Sequence, residues 1–210
     1  MELYAVKKEK HYFRGDKFEP LLIPYLLFLT GFIASICIGC LLITLSFLLS
    51  AIIYSMFIQE AFKKTSMRAY FLPTCLYQLS TNYDQVNKLF GISEGFHHWD
   101  SARIGWRCLD GEKIELLAYA YVNKQRIIKP MIKCNAQQWV FCHIENKPSK
   151  YVFKALTANG QSITVSIDKP KRLFIYDFSK LFIYRLYPYF GGQQSAPHDM
   201  SLYLIKLRQE

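Results

Sequence analysis

Several things are missing from these 210 residues. No charged side chain occurs between Pro20 and Gln59, which excludes an ordinary soluble globule over that stretch. No second apolar block exists, which excludes a polytopic transporter. No G-x-S-x-G, Walker loop, H-E-x-x-H or H-x-E/C-x-x-C pattern occurs, so no known catalytic signature is present. Carboxylates are few, 16 Asp+Glu against 26 Lys+Arg, which counts against a glycosidase pair. Cys75, Cys108, Cys134 and Cys142 lack zinc-type spacing, and the residues suit free thiols in a reducing compartment better than two disulfides outside the cell. His97 and His98, with His143 or His198 at a distance, form no regular ligand set, so no metal and no cofactor is expected.

What is there begins with the uncharged block. A single helix over residues 20–59 would run roughly 60 Å, against a hydrocarbon core of roughly 30 Å. Two spans joined near Ile38-Gly39-Cys40 fit that thickness better, with one long projecting helix as the alternative. Lys7, Lys8, Lys10, Arg14 and Lys17 precede the block, and Lys63, Lys64 and Arg68 follow it. Basic flanks on both sides suit a hairpin with both ends in the cytoplasm. Gly31, Ala34, Ser35 and Gly39 recur at close-packing intervals and are the candidates for helix assembly. The organisation expected is a basic flank (1–19), a transmembrane hairpin (20–59), a basic linker (60–68) and a β-domain (69–210).

The β-domain reads as successive strands. RIGWRCL (103–109) runs into Asp110-Gly111, a strong hairpin signal, and KIELLAYAYV (113–122) follows. RIIKPMIK (126–133) contains Pro130, which predicts an edge strand or a bulge. QWVFCHI (138–144), YVFKAL (151–156), SITVSI (162–167), RLFIY (172–176), LFIYRLY (181–187) and MSLYLIKL (200–207) continue the series. A further strand is expected within 69–79 and a short helical turn within 81–91. Consecutive hairpins favour an up-and-down β-barrel of about eight strands, with a β-sandwich as the second architecture.

The net charge of +10 leaves two readings, attraction to an anionic lipid surface or a site for an anionic ligand. The basic residues are too dispersed for a DNA-binding stripe. Arg103, Gly105 and Arg107 share a strand face, and paired arginines can grip a phosphate. Tyr119 and Tyr121 share a face of the next strand. The loop LYPYFGGQQSAPHDMSLYL (186–204) sets aromatics beside Gly191 and Gly192 and ends near His198, which suits the rim of a ligand mouth.

That loop, with NKLFG (87–91), HHWDSARIGWR (97–107) and IELLAYAYVNKQR (114–126), resembles a group of bacterial β-rich proteins sharing N-K-L-F-G, S-A-R-F-G-W-R and Y-P-Y-F-G-G-x-x-x-A-P-H-D. The likeness covers most of 80–207 and departs at Ile104, where Phe is usual. It implies a domain and no reaction. The layout, a two-helix hairpin followed by a β-barrel, resembles the membrane-anchored β-barrel effectors of bacterial cyclic-oligonucleotide anti-phage signalling (CBASS). That resemblance implies a non-enzymatic effector at the bacterial inner membrane. Its cytoplasmic barrel would sense a cyclic di- or oligonucleotide, and its hairpins would assemble as a homo-oligomer and disrupt the bilayer. The ligand residues expected are Arg103, Arg107, Tyr119, Tyr121, Gly191, Gly192 and His198. The alternative is a tethered β-sandwich that binds a glycan or a protein partner.

Overall fold

The computed structural model describes residues 1–6, 46, 49, 50, 63–79, 85–94, 96–170, 183–192 and 194–207. Eleven strands are present among them: β1 (Glu2–Val6), β2 (Lys64–Phe71), β3 (Asn87–Glu94), β4 (Ser101–Leu109), β5 (Lys113–Val122), β6 (Gln125–Asn135), β7 (Trp139–Lys147), β8 (Lys150–Thr157), β9 (Ser162–Asp168), β10 (Ile183–Leu186) and β11 (Met200–Lys206). They form two antiparallel sheets, one ordered β1-β11-β2-β7-β8-β9 and the other β10-β3-β4-β5-β6. The expected helical turn within 81–91 is replaced, over its described part, by β3.

The expected β-barrel is corrected to a two-sheet sandwich. The hairpins β3-β4-β5-β6 and β7-β8-β9 form as their turns dictate. Asp110 and Gly111 both take positive φ, as do Asn123 and Lys124, the geometry that follows strand twist. The meander is broken between β6 and β7. Gln137, at φ 62, donates its amide to the Phe71 carbonyl at 2.8 Å, which carries the chain from one sheet into the other. β6 is left as an edge. Its Pro130 has no amide proton and lies opposite Leu117, where the register shifts through a bulge. Instead of a backbone ladder, Lys129 Nζ reaches across to the Ser166 carbonyl at 2.8 Å.

The expectation of transmembrane helices gains no support: among the described residues no helix is long and apolar enough to cross a membrane. Residues 20–59, with Gly31, Ala34, Ser35 and Gly39, lie outside the described residues except for Ser46, Leu49 and Ser50. The β-structure reaches beyond residues 69–210. β1 pairs with β11 (Tyr4↔Leu202), and β2 pairs with β11 on its other side (Phe71↔Leu202).

Alternation decides the core. Ala102, Ile104 and Trp106 on β4 and Ile114, Leu116, Ala118 and Ala120 on β5 meet Phe71, Val140, Cys142, Tyr151, Phe153 and Leu202 of the other sheet. The Phe71 and Trp106 rings stand 5.1 Å apart across the interface. Cys75, Cys108, Cys134 and Cys142 are free thiols.

A buried carboxylate also ties the two sheets together. Glu94 accepts from Asn146 Nδ2 (2.9 Å), Tyr151 Oη (2.6 Å) and Lys169 Nζ (3.3 Å). Burial alone would raise the Glu94 carboxyl pKa. The Lys169 charge and these hydrogen bonds outweigh burial and hold it below its ordinary value. Glu94 therefore contributes stability above pH 4.5, the ordinary carboxyl value, and loses it as pH falls through the lower folded value. Glu94→Ala removes the carboxylate that the partly buried Lys169 ammonium faces and is expected to cost about 3–5 kcal/mol in chemical denaturation at pH 7. The deficit should shrink in acid, where the wild-type carboxyl is also neutralised. An equal deficit at both pH values would remove the charge-pairing explanation.

Candidate functional site

The outer face of the second sheet is the unusual one. Outer faces of sandwiches carry solvated residues. Here Lys88 on β3 and Arg103 on β4 are buried, 6% and 2% exposed, on that face. The sequence makes room for them. Register sets Gly105 opposite Lys88 and Gly91 opposite Arg103. A Cβ on Gly91 would lie 2.7 Å from Arg103 Cγ and 2.4 Å from the Ala102 carbonyl oxygen, so only glycine lets the arginine lie flat. Val86, Leu117 and Tyr119 form a small apolar cluster beside them, separate from the main core.

The loop after β10 lies over these cations. Tyr189 pairs with Lys88 through both backbone amides, at 3.0 and 3.1 Å. Its hydroxyl accepts from Arg103 Nη1 at 3.2 Å, and its ring lies 5.0 Å from Lys88 Nζ. Tyr119 lies beneath, 4.6 Å from the same ammonium. Lys88 Nζ donates to the Val86 carbonyl at 2.6 Å. A Cβ on Gly191 would meet that carbonyl at 2.4 Å and Lys88 Nζ at 2.7 Å, which fixes glycine there.

Electrostatically the cluster is one-sided. Burial, then the charges of Arg103 and Arg126, lower the Lys88 pKa to about 7. Burial and the Arg103 charge also lower His97 and His98 below the usual histidine value. Burial, then the Tyr121 hydroxyl, raises Tyr119 well above the usual phenol value. Glu115, on the same face, is engaged by Arg107 at 2.7 Å. Arg103 Nε and Nη2 are buried with no hydrogen-bond partner among the described residues. A buried guanidinium with two unsatisfied donors beside an ammonium has the chemistry to accept an anion.

The expected ligand residues divide. Arg103, Tyr119, Tyr121, Gly191 and Gly192 converge on this face, with the Tyr119 and Tyr121 hydroxyls 3.4 Å apart. Arg107 belongs to the Glu115 ion pair, and its side chain is 36% exposed. His198 binds the Thr74 carbonyl at 2.8 Å, beside the short 3-10 turn Pro73–Cys75. Sequence reasoning missed Lys88, Gln85 and Tyr189. A lysine inside the apolar run NKLFGI, matched to the glycine-rich loop, was the available signal. Among the described residues no group of three or more His, Cys, Asp and Glu could hold a metal ion.

No protein-family model matches the sequence, and no curated protein matches it. Among solved structures, crystal structures of scytalidoglutamic peptidase with transition-state analogues are similar, at 8% and 9% identity and TM-scores of 0.37 and 0.38. The likeness covers 68% of this chain and 58% of the peptidase chain. The expectation of a non-enzymatic chain rests on missing motifs, and a likeness at these TM-scores carries no argument for or against it. A likeness this distant assigns no activity and no active-site residue to this chain.

Proposed function

We propose that the chain is a receptor for a phosphate-bearing ligand, held on the outer face of the second sheet by Arg103 and Lys88. A cyclic nucleotide is the member of that class to which the effector resemblance points. The observation that carries this reading is the buried Arg103 guanidinium with two donors unsatisfied among the described residues. Ligand phosphate oxygens would satisfy them, and bidentate geometry suits a guanidinium. The aromatic side chains of the 187–190 loop, which a glycan-binding surface would display, are half-buried or buried. The proposal stops at ligand binding, because the segment expected to span a membrane, residues 20–59, lies outside the described residues apart from Ser46, Leu49 and Ser50.

Thermal unfolding of the full chain against cyclic di- and trinucleotides tests it. Ligand at 100 times its dissociation constant adds about 2.7 kcal/mol of stability. Absence of any shift across the panel, with the protein folded, would overturn the reading.

The pH dependence should carry the Lys88 signature. The protonated amine binds the anion, so affinity is full below pH 7 and falls as pH rises through it. The unliganded fold should move the other way. Its cost of burying the ammonium is present below pH 7 and is relieved between 7 and the ordinary lysine value of 10.5. Calorimetric titration and unfolding at pH 6, 7 and 8 check both. Parallel trends would count against Lys88.

A further inference from the structure

Gln85 has no role in holding phosphate, yet it is the other unexplained polar side chain at this site. It is 4% exposed, and neither its Nε2 nor its Oε1 has a hydrogen-bond partner among the described residues. A buried amide left unpaired on both sides is costly unless a ligand completes it. Its surroundings are built to hold it. Gly192 adopts φ +113, which side chains rarely tolerate, and a Cβ there would lie 2.8 Å from the Gln85 Cγ and Cδ. The preceding residue, Gly191, abuts Lys88 Nζ, and the residue after Gln85 supplies the carbonyl that Lys88 binds. The unpaired amide and the Lys88 ammonium thus sit under adjacent glycines, Gly192 and Gly191.

The chemistry of the amide limits what completes it. Gln offers N–H donors and a carbonyl acceptor side by side in one plane. A single hydroxyl cannot occupy both at once. A planar edge with an adjacent acceptor and donor can, and nucleobases carry such edges. Tyr119 and Tyr121, on the same sheet face with ring centroids 5.7 Å apart, and His98, 5.2 Å from Tyr121, supply aromatic surface for a flat ring. We infer that Gln85 reads a nucleobase edge, so that this site takes nucleotides in preference to other phosphate esters. This rests on the phosphate-receptor reading and adds the residue that sets its specificity.

Inorganic phosphate, ribose 5-phosphate and the four nucleoside 5′-monophosphates, titrated calorimetrically into the full chain at pH 6.5, test it. At least one nucleotide should bind about tenfold or more tighter than ribose 5-phosphate, the discrimination a paired base edge supplies. Gln85→Leu should abolish that preference while inorganic phosphate binds as before. Gln85→Glu, which keeps the shape and one acceptor but loses the donor, should change which base is preferred, and it serves if the leucine variant fails to fold. Equal binding of ribose 5-phosphate and all nucleotides overturns the inference and leaves the phosphate receptor standing. So does a preference that survives both substitutions. Failure of every phosphate compound to bind overturns both.

Discussion

Arg103→Met should make the unliganded protein more stable and destroy its ligand affinity. The guanidinium is buried with two donors unsatisfied among the described residues, and each such group costs about 1–3 kcal/mol. Methionine has comparable length, no charge and the flexibility to fill the groove left by Gly91. The lost hydrogen bond to Tyr189 and the ring contact at 5.8 Å offset part of the gain. The expected net effect is a rise of about 1–3 kcal/mol in unfolding free energy. Phosphate-ligand affinity should fall by about 2–5 kcal/mol, the cost of removing one member of a buried charge contact. Opposite signs in the two measurements identify a group retained for binding at the expense of stability. Denaturation and calorimetric titration of one purified variant supply both. A less stable Arg103→Met that binds as wild type would make Arg103 a structural residue and remove the site.

The second large effect lies in the core. Trp106 is fully buried and packs between Phe71 at 5.1 Å and Tyr77 at 6.1 Å, where the two sheets meet. Trp106→Ala should cost about 3–5 kcal/mol, a large part of the stability of a typical domain. For a chain this size each kcal/mol shifts the midpoint by about 2–4 °C, so a fall of about 6–20 °C is expected. The indole Nε1 has no hydrogen-bond partner among the described residues. Trp106→Phe therefore forfeits less volume and no hydrogen bond, and should cost clearly less than the alanine variant. Thermal scans of both variants check the pair. A phenylalanine variant as damaged as the alanine one would show that the indole N–H matters after all.

Much of the strand pattern was legible because hairpins are local. Asp110-Gly111 and Asn123-Lys124 encode turns, and the span 113–122 follows directly between them. Pro130 marked an edge for a reason internal to one residue, its missing amide proton. The face shared by Arg103, Gly105 and Arg107 was legible from period-two alternation. Its burial was not. Alternation separates two faces without saying what covers either, and here the cover comes from Tyr189, 86 residues further along the chain from Arg103. Arg107, four residues from Arg103 on the same face, meets Glu115 across the ladder and drops out of the site.

The sequence alone determined the turns, the strand alternation, the basic balance and the edge at Pro130, because each depends on backbone preference or side-chain chemistry within a few residues. Only the tertiary structure decided sandwich over barrel, since a bend at Gln137 and its bond to Phe71 redirect an otherwise regular meander. It also decided that Glu94 would tie the two sheets together, and that Lys88, Arg103 and Gln85 would be shut beneath one loop. Burial of a charge depends on what distant chain comes to lie over it, and local pattern carries no record of that.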